Sequence, residues 1–121
     1  MKIYIDTNVY LDYLLERKNK YGKDLSKPAF EVFKRAVACE FYIILSYHLL
    51  NELHANIKES DTYILLKFLK KKLILIEDEQ RYKGDEKHAV LAKKAGADFI
   101  VTRDKKHFCD FSTKAVLPED L

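Results

Sequence analysis

Residues 96–104 read Gly-Ala-Asp-Phe-Ile-Val-Thr-Arg-Asp, and this stretch decides the fold. Gly96 suits the position just past a helix end, where left-handed backbone favours glycine. The next segment, Asp98–Thr102, contains a short apolar run without polar alternation. Such a run is a strand covered on both faces, as in a parallel sheet packed between helices. The run then stops at Thr102-Arg103-Asp104. The same construction opens the chain, where the apolar Lys2–Ile5 runs straight into Asp6.

Working outward, two further runs, Tyr42–Leu45 and Leu73–Ile76, predict strands, and Ala115–Leu117 a short fifth. Helical spacing fills the intervals. Thr7–Glu16 carries Val9, Tyr13 and Leu14 on one stripe, and the basic stretch Arg17–Lys27 reads as a loop. Pro28 opens a helix bearing Phe30, Phe33 and Val37. Ser46 caps a helix to about Lys58, with Leu49, Leu50, Leu53 and Ile57 inward. Ser60 or Asp61 caps another to about Lys71, and Gly84-Asp85 starts one that ends near Gly96. The order βααβααβαβ predicts an α/β protein with a central parallel sheet of four to five strands.

The 121 residues argue for one compact domain over 1–121, and 48% hydrophobic content supplies its core. No apolar run is long enough to span a membrane, and Asp6 interrupts any export-signal core. Two cysteines, Cys39 and Cys109, make no disulfide framework and no zinc motif, so the expected setting is the reducing cytoplasm. A net charge of +3 permits nucleic-acid binding without requiring it.

Four acids stand where an apolar run ends or a helix begins: Asp6, Glu52, Asp85 and Asp104. Parallel strands bring such positions to one sheet edge, where open α/β sheets bind ligands. Singly, each has a plain reading. Asp6 and Asp85 are natural helix caps, Glu52 is a solvated helix flank, and Glu86 competes with Asp85. Jointly they describe a carboxylate cluster. Two unit charges about 4 Å apart cost roughly 4 kcal/mol at an effective dielectric near 20, a cost that a hard divalent cation removes. Thr7 and Asn8 are placed to position a carboxylate or contact a phosphate, and Thr102 to order Asp104. His48 and His88 stand one helical turn from Glu52 and Asp85, but hard cations seldom need imidazole. His54, His107 and Lys70-Lys71-Lys72 read as surface, and Tyr10, Tyr13 and Phe30 as core or dimer packing.

These residues resemble the PIN domain family, of the VapC-like type. The matching pieces are Ile5-Asp6-Thr7-Asn8; Ser46 through Glu52-Leu53; Asp85-x-x-His88-Ala89-x-x-Ala92; and Gly96-Ala97-Asp98-x-Ile100-Val101-Thr102-Arg103-Asp104-x-x-x-Phe108. The resemblance runs from Met1 to about Phe108. It implies a three-layer α/β/α sandwich and a Mg2+- or Mn2+-dependent endoribonuclease. Asp6, Glu52, Asp85 and Asp104 would be its catalytic and metal-binding acids, with Asn8 and Thr102 in support. It also implies RNA as substrate and a homodimer, and either the toxin half of a toxin–antitoxin pair, with an antitoxin protein as partner, or an RNA-processing enzyme without one. Arg103 and Arg17, with Lys18 and Lys20, border the expected cleft as substrate contacts, although a solvated surface role is the plainer reading of each.

Two other readings compete. One is a binding module that kept the fold without catalysis, against which all four acids are present. The other is a receiver-like phosphoacceptor domain. That needs a central Asp at the end of the third strand, here Ile76-Glu77-Asp78, and a lysine on the fifth, where none is well placed.

Overall fold

The structure, a computed structural model, describes residues 1–77 and 81–121. Among these described residues five strands are formed: β1 (Lys2–Ile5), β2 (Tyr42–Ser46), β3 (Leu73–Ile76), β4 (Phe99–Val101) and β5 (Lys114–Val116). They make one parallel sheet in the order β3-β2-β1-β4-β5. Five α-helices among the described residues flank it: α1 (Thr7–Leu14), α2 (Ser26–Val37), α3 (Tyr47–His54), α4 (Glu59–Leu69) and α5 (Gly84–Lys94). The result is a three-layer α/β/α sandwich. Because parallel crossovers are right-handed, those leading from β1 to β2 and on to β3 fall on one face. The return from β3 to β4 falls on the other.

Strand order also separates the competing folds. A receiver-like sheet runs 2-1-3-4-5, whereas here β1 is central, between β2 and β4. Asp78, on which the receiver reading turned, lies outside the described residues. The direction of winding reverses at β1, so the crevice beside its carboxyl end is the place where such sheets bind ligands.

The central strands are apolar because no water reaches them. Ile3, Tyr4, Ile5, Ile43, Ile44, Ile100 and Val101 are fully buried. At the sheet margin the constraint relaxes, and Leu75 of β3 is exposed. Helix α1 buries Val9, Tyr10, Leu11 and Asp12, leaving Tyr13 half-buried, a wider face than one stripe predicts. The cause is its double packing, against α2 as well as α3.

Helix ends follow local chemistry, with differences from expectation. The Ser46 hydroxyl accepts the Leu49 amide at 3.2 Å, capping α3 as its sequence predicts. Helix α3 stops at His54, short of Lys58, and α4 begins at Glu59 behind Lys58 rather than behind Ser60 or Asp61. After α5, Gly96 adopts φ +74°, its amide bonding Lys93 O (3.1 Å) while Ala97 N bonds Ala92 O (2.9 Å). That paired closure satisfies the last carbonyls of the helix and turns the chain into β4.

The same closure ends α2, but Cys39 occupies the left-handed position, at φ +70°. Its amide bonds Ala36 O, and Glu40 N bonds Arg35 O. A β-carbon there costs about 1 kcal/mol, and Cys39 is exposed. Cys39→Gly is therefore expected to raise the melting temperature by about 4 °C. An unchanged or lower midpoint in thermal denaturation would show that the turn is not strained.

Candidate metal centre

Asp6 follows β1 directly, and its amide donates to Val101 O at 2.9 Å, pinning it beside the end of β4. It stands at the N-cap of α1, yet its side chain makes no capping bond. Instead the Thr102 hydroxyl donates to Asp6 Oδ2 (2.9 Å) and accepts the Asp104 amide (3.0 Å). One hydroxyl thus orders both the carboxylate after β1 and the turn after β4. Asp6 is only 4% exposed. Burial pushes its carboxyl above the ordinary value, and the charges of Asp85 and Glu52 push the same way; His88 and the Thr102 bond oppose them.

Glu52 arrives from α3 and is held by a different set of groups. The Thr7 hydroxyl donates to its Oε1 at 2.6 Å, and His88 Nε2 meets the same oxygen at 2.5 Å. His48 Nε2 lies 3.8 Å from Oε2. Partial burial acts to raise the Glu52 carboxyl. The hydrogen bonds from His88 and Thr7, with the two imidazoles' charge, prevail and bring it down to about 2. His48 is itself lowered, first by burial and then by His88.

Behind His88 runs a buried chain that the sequence reading missed. His88 is 1% exposed, and its Nδ1 lies 2.6 Å from the Tyr4 hydroxyl. That hydroxyl lies 2.8 Å from Ser46 Oγ. Ser46 is legible as a cap but not as a partner of Tyr4. The available signal is Tyr4 itself: a tyrosine in an otherwise aliphatic central strand must bury its hydroxyl, and buried hydroxyls seek partners.

Asp85 is the second residue of α5, not its cap, because Lys83 takes that place. It is half-exposed, and His107 Nδ1, in the 3-10 turn Lys105–Phe108, reaches its Oδ2 at 2.8 Å. Its charge is felt at Asp6, whereas Glu86 stands exposed one position further on. Asp104 opens that same 3-10 turn with an exposed side chain, and its charge is felt at Asp12. The tightest grouping among the described residues is His48, Glu52 and His88, whose ligand atoms lie within 4.8 Å of one another.

The arginines have a structural task. The Arg103 guanidinium forks onto both oxygens of Asp12, and Arg17 Nη1 lies 3.9 Å from the same carboxylate. Arg17 also donates to Asn8 Oδ1 at 3.4 Å. The Asp12 side chain is 1% exposed, so an ionised carboxylate there needs this partner. Arg103 is therefore not simply solvated, although about a third of its side chain, like that of Arg17, still faces water.

The donors suit a divalent ion. A buried carboxylate carries an electrostatic load from two more acids, and a cation relieves that load. The consequence for the ion-free protein has a definite sign. The native Asp6 carboxyl is raised, so its contribution to stability is full below the unfolded value near 3.8 and is lost as pH rises. Glu52 runs oppositely: its contribution is present above 4.5 and disappears as pH falls toward about 2. With chelator at pH 7, Asp6→Asn is expected to melt a few degrees above wild type, the gap closing toward pH 4. Glu52→Gln is expected to melt below wild type at pH 7. A destabilised Asp6→Asn protein would contradict the load assigned to that carboxylate.

Among the described residues, no helix is long and apolar enough to cross a membrane. A search of curated proteins finds no match. A family model for the PIN domain matches residues 2–106, which takes in every strand but β5 and all the acids above. PIN domains have a nuclease-type fold and are in general metal-dependent nucleases. By this match over most of its length, carried on a five-stranded parallel sheet with acids at its carboxyl edge, the chain belongs to the PIN domain family.

Proposed function

We propose that the protein is a metal-dependent endoribonuclease that hydrolyses RNA phosphodiester bonds, with Mg2+ or Mn2+ as the ion. One observation carries the reading: the buried Asp6 carboxylate at the switch point of the sheet, loaded by Glu52 and Asp85. Such a divalent ion, when bound, lowers the pKa of the attacking water and offsets charge on the phosphate. The protein's own groups would do the rest. Asp6, fixed by Thr102, and Glu52, fixed by Thr7 and His88, present their oxygens in set directions. Asp85 and Asp104 would add charge at the same edge, and Asn8, whose Oδ1 accepts from Arg17, would support them. The exposed parts of Arg103 and Arg17 would meet the RNA backbone as charge partners.

Within this reading, we infer the toxin half of a VapBC-type toxin–antitoxin pair, working in the cytoplasm as a homodimer. What favours a protein partner is an open, mainly apolar groove of about 560 Å3 lined by Tyr13, Leu14, Phe30, Ile64, Leu65 and Phe68, with Glu16 and Asp61 in its walls. It shares no residue with the acidic site, so it gives an inhibitor or second subunit a seat separate from the chemistry.

The test is cleavage of end-labelled structured and single-stranded RNAs by the purified protein with Mn2+, Mg2+ or EDTA. Ion-dependent cutting is expected, reduced roughly 100-fold or more by Asp6→Asn, since each factor of ten is 1.36 kcal/mol of barrier. Intact RNA under every condition, with no rise in melting temperature on adding Mn2+, would overturn the nuclease reading.

A further inference from the structure

We propose that His48, Glu52 and His88 form a mixed imidazole–carboxylate site for a first-row transition ion, so that the centre selects such an ion over Mg2+. The inference rests on the metal-dependent reading above and names its cofactor class. All-oxygen donors suit Mg2+ and Mn2+ alike, whereas imidazole suits the later first-row ions such as iron, nickel and zinc, so nitrogen ligation of Mn2+ is the demanding case. The three side chains come from two helices that pack together, α3 and α5. Their nearest pairs, 2.5 Å for His88 Nε2 to Glu52 Oε1 and 3.8 Å for His48 Nε2 to Glu52 Oε2, bracket the donor spacing an ion requires. With ligand bonds of about 2.1 Å, adjacent donors lie about 3.0–3.4 Å apart. The two imidazole rings are already 4.5 Å apart, centre to centre.

The surrounding groups fit ligation as well as they fit the ion-free state. Without an ion, His88 Nε2–H donates to Glu52 while Nδ1 accepts from the Tyr4 hydroxyl. To bind an ion, neutral His88 must carry its proton on Nδ1 instead and free the Nε2 lone pair. The Tyr4 hydroxyl then accepts that proton's hydrogen bond and donates to Ser46 Oγ, and either atom of the Tyr4–Ser46 pair can be the donor. Ligating histidines characteristically fix their second nitrogen in this way. His48 Nε2 needs a smaller change: its 3.3 Å bond to Gly84 O is long, and Gly84 is exposed, so water replaces the lost partner. Thr7 keeps Glu52 Oε1 oriented throughout.

The experiment is calorimetric titration of the whole chain with Mn2+ and Mg2+, joined to pulsed EPR of the Mn2+ form. Mn2+ is the weakest binder of its series, so the comparison is a severe one. The expected result is Mn2+ binding at least roughly tenfold tighter than Mg2+, with nitrogen modulation from directly bound imidazole. His48→Asn, at the partly exposed position, is expected to weaken that modulation and collapse the Mn2+ preference; His88→Gln should do the same if it folds. Mn2+ bound without nitrogen modulation, and weakened by Asp6→Asn but not by His48→Asn, would refute the imidazole site while leaving the metal-dependent nuclease intact. No binding of either ion, nor of Ni2+ at the same concentrations, would refute both.

Discussion

The fold holds a carboxylate out of water at the one point where its sheet reverses direction, and most of the site's construction answers that constraint. Asp6 cannot move away, because its amide is part of the ladder between β1 and β4. It cannot be solvated, because the layers close over it. What remains is to direct it and to balance it. Thr102 does the first from the neighbouring strand. Balance is incomplete within the chain, since Asp85 and Glu52 add charge of the same sign. A protein that stored this repulsion without use would be less stable for nothing, which is the physical reason to look for a cation.

Glu52 shows the opposite solution. It is held by Thr7 and His88, and His88 is held in turn by Tyr4 and Ser46. This chain passes through the core from β2 across β1 to α5, so the position of Glu52 is tied to the central strands and not only to its own helix. A polar network of this kind rigidifies when every member is satisfied and is costly when one is not. Asp12 and Arg103 repeat the logic nearby: a buried acid on α1 secures the turn that carries Asp104.

Much of this was legible in the residues. Continuous apolar runs gave the parallel strands because a doubly covered sheet leaves no polar face to alternate. Ser46 and Gly96 announced a helix start and a helix end through backbone chemistry that depends on few neighbours. The acids at strand and helix ends stood out because sheet topology gathers such positions whatever the side chains do. Less was legible where the answer lies in contacts distant along the chain. Arg103 reads as solvated until Asp12, 91 positions earlier, is seen beneath it. His88 reads as an improbable ligand until Tyr4 is found on one nitrogen and Glu52 on the other. Lys58 capping α4 and Lys83 capping α5 show that backbone geometry can set a helix start where the side chain offers nothing.

The brevity of β4 has a consequence for how such a chain can diverge. Only Asp98 and the three residues of β4 separate the Gly96–Ala97 closure from Thr102, and both ends of the interval are fixed, one by a helix terminus and one by Asp6. Side chains within it can be exchanged at constant length. A single inserted or deleted residue would turn every following side chain to the opposite face of the pleat and aim the Thr102 hydroxyl away from its carboxylate. Length variation is therefore excluded from this interval and directed to loops such as residues 18–24, beyond Arg17, which lie outside the five-stranded sheet.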